Sequence, residues 1–388
     1  MIMNILYVTN TTHSGGSTIA LVNIIRGMKK YGHTIYVLAN ENQGELYEML
    51  KDLNIKIFSC PYCLTIYPVD TNPIKYIYGF FLHLAWWYKA NKTIGKIIKK
   101  YDIEIVHTNV GPLDLALDEC KEKGIVHIWH HREFFNKFSS SSLFPNNKYF
   151  YKRIKSTNNY NICITKQVLE NCNLTESFNN RVIYDGVFQK ATFSSASDSV
   201  KDKYFLYVGR VEPNKGLLDL LKAFSEFHKK YPEYLLKIAG HFDTTSRYYI
   251  KCYEFILDCC LQNVVEFLGN RHDVYDLMTK ATAHIVSSYY EGFGFTVVEA
   301  MINKTLVIGR NTSGVKEQFD TGLAATGYEI GLRFSDIQSL AHSLYDAVEK
   351  DNSSMILNAY KVASELYTIE KCVASINKLY LDSQKTIV

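Results

Sequence analysis

The chain has 388 residues, of which 47% are hydrophobic and 21% are charged. This composition excludes a disordered chain, and the length predicts two domains that each bury a core. The net charge of +4 arises from 43 basic and 39 acidic residues, an excess too small to indicate nucleic-acid binding. The sequence shows no apolar run long enough to span a bilayer and no signal peptide, so we expect a cytoplasmic protein.

The first half of the chain alternates between short apolar runs and amphipathic stretches. An opening strand at 3–10 is followed by a loop that contains Gly15 and Gly16, and then by a helix from Thr18 to Tyr31. Such alternation predicts a parallel sheet, whose ligands bind beyond the carboxyl ends of the strands. Further strands are predicted at 33–39, 55–59, 103–108, 125–131, 160–165 and 181–184.

The nine cysteines include a Cys60-Pro-Tyr-Cys63 string that matches a glutaredoxin redox motif. A redox motif of this type opens a helix in the first strand–helix unit of its fold. Here it follows two such units and precedes 64–68, which is not helix-like. We therefore predict a loop after the third strand and reduced cysteines. The other cysteines lack the spacing of metal ligands, and no metal site is predicted.

The segment 76–88 is rich in aromatic and aliphatic residues, and it is followed by five lysines between Lys89 and Lys100. It is too short to cross a bilayer. One interpretation is an interfacial helix that docks on anionic lipid at the inner face of the cell membrane. The interpretation that we favour is a helix packed on the first sheet, with a lysine-rich C-terminal half exposed to solvent.

The second half begins after a small, polar stretch at Gln189–Lys203, which we interpret as a linker. A strand from Tyr204 ends at Gly209-Arg210, a tight loop leads to Lys215-Gly216, and a helix is predicted from Leu217 to His228. Two fixed cations beside a strand–helix turn can hold a diphosphate without a metal. Further strands are predicted at 234–239, 263–268, 283–287 and 305–309, with a last helix at 369–384.

Two carboxylates lie on a second strand–turn–helix segment, Glu291-Gly-Phe-Gly-Phe-Thr-Val-Val-Glu299. Gly292 and Gly294 leave the backbone bare, so that a ligand can approach amides at a helix N-terminus, where anions bind. Glu291 lies on the turn and Glu299 about one helical turn into the helix that follows, so both carboxylates can face the same cleft. Amides that bind a phosphate, beside carboxylates that accept hydrogen bonds from hydroxyls, together suit a sugar nucleotide.

Together these segments resemble a large family, the retaining GT-B glycosyltransferases of the group 1, or GT4, type. The family carries a G-R-x-x-x-x-K-G segment, here Gly209 to Gly216, and an E-x7-E segment, here Glu291 to Glu299. The resemblance implies two Rossmann-like α/β domains of parallel sheets that face a cleft (GT-B). It places an acceptor-side domain at 1–190, a donor domain at 204–368, and a terminal helix at 369–388 that returns to the first domain.

The resemblance also assigns roles to residues. Arg210 and Lys215 would hold the donor diphosphate. Glu291 would contact hydroxyls of the transferred sugar, and Glu299 would take the ribose hydroxyls. Further donor-binding positions are implied in two glycine-containing segments: Gly15, Gly16, Gly292, Phe293, Gly294 and Phe295.

The strand at 125–131 runs into His130-His131-Arg132-Glu133. Family members place a histidine near the donor and acceptor after this strand. Either His130 or His131 could fill that role, and we favour His131 because it lies at the loop edge. One departure from the family lies just before the expected linker: Asp185 stands where an Asn-Gly-Val segment usually begins.

The implied function is retaining transfer of a hexosyl group from a nucleoside diphosphate sugar, with a UDP-sugar as the expected donor, to a carbohydrate or lipid-linked acceptor in bacterial surface polysaccharide synthesis. The sequence has no Asp-x-Asp motif, so we expect no metal and no other cofactor. Two alternatives stay open: a nucleotide-sugar epimerase of the same fold, and a non-catalytic subunit that binds a sugar or a partner. The presence of both Glu291 and Lys215 favours the enzyme.

Overall fold

The computed structural model describes residues 1–10, 12–13, 15–68, 72–134, 141–157, 159–190 and 200–385. The chain forms two compact units. The first contains Met1–Gly186 together with Ile369–Val388, and the second contains Val187–Thr368. Most of the expected linker, residues 191–199, lies outside the described residues.

The first unit is built on a parallel sheet of seven strands. Its central strands are buried on both faces, as the near-continuous apolar runs of a parallel sheet require. The strands of this unit are β1 (Asn4–Thr9), β2 (Thr34–Ala39), β3 (Lys56–Ser59), β4 (Ile66–Pro68), β5 (Ile105–Thr108), β6 (Val126–His131), β7 (Ser141–Leu143), β8 (Asn159–Cys163) and β9 (Asn180–Val182). The order in the sheet is β3-β2-β1-β5-β6-β8-β9, and β4 and β7 form a separate antiparallel pair.

The helices of the first unit that precede the second unit in the chain are α1 (Gly16–Lys30), α2 (Glu45–Leu50), α3 (Pro73–Lys100), α4 (Leu117–Lys123), α5 (Asn147–Ile154) and α6 (Lys166–Asn171).

The second unit has a six-stranded parallel sheet. Its strands are β10 (Tyr204–Val208), β11 (Leu235–Ala239), β12 (Val265–Gly269), β13 (Ala283–Val286), β14 (Leu306–Arg310) and β15 (Leu332–Phe334), in the order β12-β11-β10-β13-β14-β15. Its helices are α7 (Leu217–His228), α8 (Arg247–Asp258), α9 (Val274–Lys280), α10 (Phe295–Ile302), α11 (Ser313–Thr326), α12 (Ile337–Glu349) and α13 (Ser353–Leu366). The prediction of two parallel-sheet α/β domains is confirmed.

The terminal helix α14 (Ile369–Gln384) belongs to the first unit, as expected. Ile376, Leu379 and Tyr380 are buried in the core formed by the first sheet and α1. Gly27 permits the contact between α1 and α14, because a Cβ atom at this position would lie 2.5 Å from Cγ2 of Val373.

The sequence missed three short strands: β4, β7 and β15. Each has three residues, too few to show the alternation by which a strand is recognised. The predicted loop after the third strand is confirmed, since Cys60 and Cys63 lie between β3 and β4 and both are free thiols.

Helix α3 differs from the interpretation that we favoured. Its C-terminal half is the part that packs on the sheet, through Ala90, Ile94 and Ile98. The aromatic N-terminal half instead exposes large side chains, with Tyr78 at 70% and Phe81 at 64% exposure. The expectation that segment 76–88 packs on the first sheet is therefore wrong for much of its surface. Among the described residues, no helix is long and apolar enough to cross a membrane.

Candidate active site

The carboxyl end of β10 leads into a turn that is fixed to the chain after β13. Gly216 has φ +68, and a Cβ atom there would lie 2.2 Å from the carbonyl oxygen of Ser287. The Ser287 hydroxyl donates to the carbonyl oxygen of Lys215 at 2.8 Å. Glycine is needed at 216 both for its backbone conformation and for this close approach. The turn therefore holds Lys215 against the segment that begins with Ser287.

Lys215 and Glu291 form an ion pair, with 2.5 Å between Nζ and Oε1. Their side chains are 21% and 19% exposed, so the pair is accessible to solvent and ligands. The hydroxyl of Ser288 donates to the same Glu291 oxygen at 2.7 Å. The sequence placed these two charges on different parts of a ligand, the diphosphate and the sugar. The structure brings them into direct contact.

The turn after Glu291 meets the first turn of α11. The backbone N–H of Gly314 donates to the Glu291 carbonyl at 2.9 Å, and a Cβ atom at Gly314 would lie 2.7 Å from the Phe293 carbonyl oxygen. Gly294, with φ +91, immediately precedes α10. The starts of α10 and α11 therefore lie against one turn, an arrangement whose helix dipoles favour an anion.

The two phenylalanines of this turn differ in environment. Phe293 is buried, and its ring centroid lies 5.5 Å from those of both Phe295 and Tyr367. A ligand could therefore meet Phe293 through its backbone rather than its ring. Phe295 is half-buried at the first position of α10.

Glu299 lies on α10, one turn beyond Phe295. Burial raises the pKa of its carboxyl to about 7, while a hydrogen bond from Tyr275 opposes the shift. At neutral pH this carboxyl is therefore divided between its protonated and ionised forms. A group of this kind can accept hydrogen bonds from hydroxyls and, when protonated, can also donate one.

Arg210 does not take part in the Lys215–Glu291 ion pair. Its side chain is 65% exposed, and Nη1 lies 3.0 Å from Oε1 of Glu212. An exposed pair of this type contributes little to stability, which leaves the guanidinium available to a ligand.

Sequence reasoning missed a supporting arginine, Arg310, at the end of β14. Its Nη2 donates to Asp219 at 2.7 Å, and its Nε donates to the carbonyl of Ser287 at 3.0 Å. The guanidinium also lies 4.3 Å from the centroid of the Tyr289 ring. These contacts hold the segment that carries Glu291. The sequence did offer a signal for Arg310, because it is a charged residue at the end of the buried apolar run of β14.

In the first unit, the predicted His131 is the last residue of β6 and is fully buried. Its Nε2 lies 2.9 Å from Oδ1 of Asn161, and its ring stacks on Trp129 at 5.6 Å. Burial lowers the pKa of His131 to about 4, so the imidazole is neutral at physiological pH. His130 is equally buried, and its Nδ1 lies 3.1 Å from Nε2 of His107. The loop-edge position is confirmed, but the imidazole itself is not at the surface.

The residue after these histidines forms a buried ion pair that the sequence did not predict. Arg132 and Asp185 are 4% and 1% exposed, with 2.5 Å between Nη1 and Oδ2. The Oδ1 atom of Asn109 accepts from the Nε and Nη2 of Arg132. The departure from the family pattern at position 185 thus supplies the counter-ion of Arg132.

The other glycine-containing segment opens α1. Gly15 is extended, with φ 175, and Gly16 is the first helical residue. The hydroxyl of Thr18 donates to the carbonyl of His13 at 2.7 Å, which closes the first turn.

Comparison with known proteins identifies the family. A family model described as "Glycosyl transferases group 1" matches residues 189–362, and one described as "Glycosyltransferase Family 4" matches residues 14–187. The chain belongs to the group 1, or GT4, glycosyltransferases. The resemblance recognised in the sequence is therefore confirmed, as is the expectation of a glycosyltransferase enzyme.

One curated relative of this glycosyltransferase, and several solved structures, match nearly its whole length. An uncharacterized glycosyltransferase of Methanocaldococcus jannaschii is 24% identical over 379 residues, 94% of each chain. Among solved structures, Anabaena HepE in complex with UDP superposes with a TM-score of 0.77 at 18% identity, over 97% of this chain and 99% of that one. A sucrose-phosphate synthase from Thermosynechococcus elongatus superposes with a TM-score of 0.70 at 15% identity, covering 99% and 100%. These structural likenesses confirm the GT-B fold.

Within this glycosyltransferase, the second unit brings Lys215, Glu291 and the glycine turn together, with Glu299 one helical turn further on. Arg210 shares the strand–helix turn but not the ion pair. The roles assigned to all of these residues, and to His131, stay predictions.

Proposed function

We propose that this glycosyltransferase moves a hexosyl group from a UDP-sugar to a hydroxyl of a carbohydrate or lipid-linked acceptor, with retention of configuration. The accessible Lys215–Glu291 pair beside the glycine turn is the observation that carries the proposal. The choice of UDP draws support from HepE, whose structures contain UDP and UDP-glucose.

Donor binding would exchange the partners of this pair. The diphosphate would take Lys215 as its cation, and Glu291 would turn to hydroxyls of the sugar. As the glycosidic bond breaks, negative charge grows on the diphosphate, and a fixed ammonium stabilises that charge most in the transition state. Arg210, exposed beside the same turn, would supply a second cation. Glu299 would accept from the ribose hydroxyls.

We also propose that the reaction needs no metal or cofactor, since these cations and the starts of α10 and α11 can meet the charge of the leaving group. Turnover should persist in excess EDTA. Complete loss in EDTA, restored by Mg²⁺ or Mn²⁺, would show that a metal carries this charge instead.

A role in surface polysaccharide synthesis is part of the proposal. Structural support comes from WaaG, described as a glycosyltransferase involved in lipopolysaccharide biosynthesis, which superposes with a TM-score of 0.66 at 13% identity, over 96% of this chain and 99% of that one.

The test is a panel of UDP-hexoses with simple sugar acceptors. We expect release of UDP with one donor, and NMR of the product should show the anomeric configuration of the donor. A product of opposite configuration would overturn the retaining assignment. If no UDP-hexose shows acceptor-dependent release, with either the sugar acceptors or a lipid-linked sugar, the proposed transfer from a UDP-sugar is refuted.

A further inference from the structure

The outward face of α3 carries one continuous stripe of side chains along its length. Positions 74, 78, 81, 85, 88, 92, 96 and 99 follow one another at steps of three or four residues, the spacing of a single helical face. Through position 88 this stripe is apolar or aromatic, and the next three positions are all lysine. The stripe thus changes from apolar to cationic along a single helix.

The apolar half of the stripe is exposed although the helix beneath it is firmly held. Ile74, Tyr78, Phe81 and Tyr88 are all more than half exposed. On the opposite side of the helix, the Trp87 indole donates to the carbonyl of Asp114 at 2.7 Å, and the His83 ring lies 4.1 Å from that of Phe144. The stripe is therefore exposed on a helix whose opposite side is packed against the first unit.

The charge of α3 indicates what covers this face. The helix contains six lysines and no aspartate or glutamate. Glu119 of α4 is a neighbouring carboxylate, and it lies 3.5 Å from Lys92 and 2.7 Å from Lys123. Lys96 and Lys99 are exposed further along the stripe. This face is therefore complementary to a partner surface that is negatively charged and has an apolar layer beneath the charge.

We infer that the outward face of α3 docks on an anionic lipid bilayer, with the aromatic half in the interfacial region and the lysines against lipid phosphates. Aromatic rings favour that region, and each lysine near an anionic surface adds attraction that salt screens. Lipid docking itself does not depend on the proposed function. Its consequence, that the acceptor is presented at a membrane, does rest on that function.

Helix α8 of the second unit provides a matched control. It also exposes large apolar side chains, Ile250, Tyr253 and Leu257, although each is less than half exposed. Acidic residues are interspersed among them at Glu254 and Asp258. Its face therefore has apolar area without the net positive charge of α3, and we expect it to contribute nothing to lipid binding.

The test is co-sedimentation of the full chain with vesicles of phosphatidylcholine, with and without phosphatidylglycerol. We expect binding to the anionic vesicles that weakens at high salt. The double variants Tyr78→Ser/Phe81→Ser and Lys96→Glu/Lys99→Glu should each lower partitioning roughly tenfold or more. Tyr253→Ser and Lys251→Glu, both on α8, should bind as the wild type does.

Wild-type protein that stays in the supernatant with anionic vesicles at low salt would overturn the inference. So would binding that neither α3 variant reduces. If the wild type is a dimer that Tyr78→Ser/Phe81→Ser dissociates, without vesicle binding, the face joins two copies of the chain instead. UDP release with a soluble acceptor, measured on the same variants, reports the proposed function separately from lipid binding.

Discussion

The carboxyl ends of the two parallel sheets both carry an ion pair, but the two pairs lie in different surroundings. In the first unit, Arg132 and Asp185 are almost completely buried and are surrounded by further polar groups of the same unit. In the second unit, Lys215 and Glu291 are close but remain accessible. A buried pair is costly to break, whereas an accessible pair can exchange partners with a ligand. The comparison assigns a structural role to the first pair and a binding role to the second.

Loss of the buried pair should have the largest effect. Asp185→Ala leaves the Arg132 charge without its counter-ion, which costs about 3–5 kcal/mol of unfolding free energy for a buried pair. Denaturant unfolding of the purified variant measures this loss. Asp185→Asn should destabilise less, because it keeps an acceptor for the guanidinium.

The control is an exposed pair of the same unit, Arg26 and Asp52, whose atoms lie 3.3 Å apart. Asp52→Ala should change the unfolding free energy by only about 0–1 kcal/mol. If Asp185→Ala is as stable as Asp52→Ala, the structural role of the buried pair is wrong.

Loss of the accessible cation should leave the fold intact and impair turnover. Lys215→Ala removes the charge that meets the departing diphosphate, and we expect kcat to fall roughly 10²-fold or more. Arg210→Ala should lower turnover in the same direction. Steady-state kinetics with the donor found in the panel measure both effects.

Lys229→Ala is the matched control, since Lys229 pairs with Glu226 on the exposed end of α7 and both side chains are more than half exposed. Its turnover should equal that of the wild type. Wild-type turnover in Lys215→Ala would remove Lys215 from the chemistry.

The two carboxylates of the second unit should differ in their kinetic effects. Glu291→Gln should mainly lower kcat, because contacts to the transferred sugar can strengthen as the bond breaks. Glu299→Gln should mainly raise the donor KM, because an interaction equal in the ground and transition states changes binding without changing the chemical step. Loss of kcat in Glu299→Gln, with a change only of KM in Glu291→Gln, would reverse the two assignments.

The pH dependence of donor binding should reveal Glu299, with the smallest effect of the series. Its raised pKa of about 7 means that acidification below neutrality protonates a group that accepts from hydroxyls. The donor KM should therefore rise as the pH falls through 7, and Glu299→Gln should abolish this dependence. An unchanged pH profile in the variant would assign the titration to another group.

The same shift has a consequence for stability. The folded pKa lies above the unfolded value of about 4.3, so the folded state binds the extra proton between roughly pH 4 and 7. Glu299 should therefore lower stability as the pH rises through that window, and Glu299→Gln should reduce this slope in denaturant unfolding.

Much of the fold could be predicted from the sequence because parallel strands are recognised by their apolar runs and their glycine turns. The main strands of both sheets lie within a few residues of the predicted bounds. The family could likewise be predicted from the sequence, as could the turns that carry Lys215 and Glu291, because the motifs depend on the spacing of residues close together in the chain.

What the sequence could not show depends on contacts between distant segments. The pairing of Lys215 with Glu291 joins residues on two turns far apart in the chain, and Arg132 with Asp185 joins the ends of β6 and β9. The exposure of the aromatic half of α3 was also hidden, because an apolar run has the same composition whether it packs inside or lies outside.

The central claim is that diphosphate replaces Glu291 as the partner of Lys215, and calorimetric titration with UDP tests it most directly. UDP carries no hexosyl group, so it should lose nothing in Glu291→Gln, where Lys215 is already released from its carboxylate. The account predicts that UDP binds this variant at least as tightly as the wild type, and binds Lys215→Ala roughly tenfold more weakly or worse. UDP affinity that is lost in Glu291→Gln and intact in Lys215→Ala would contradict the account.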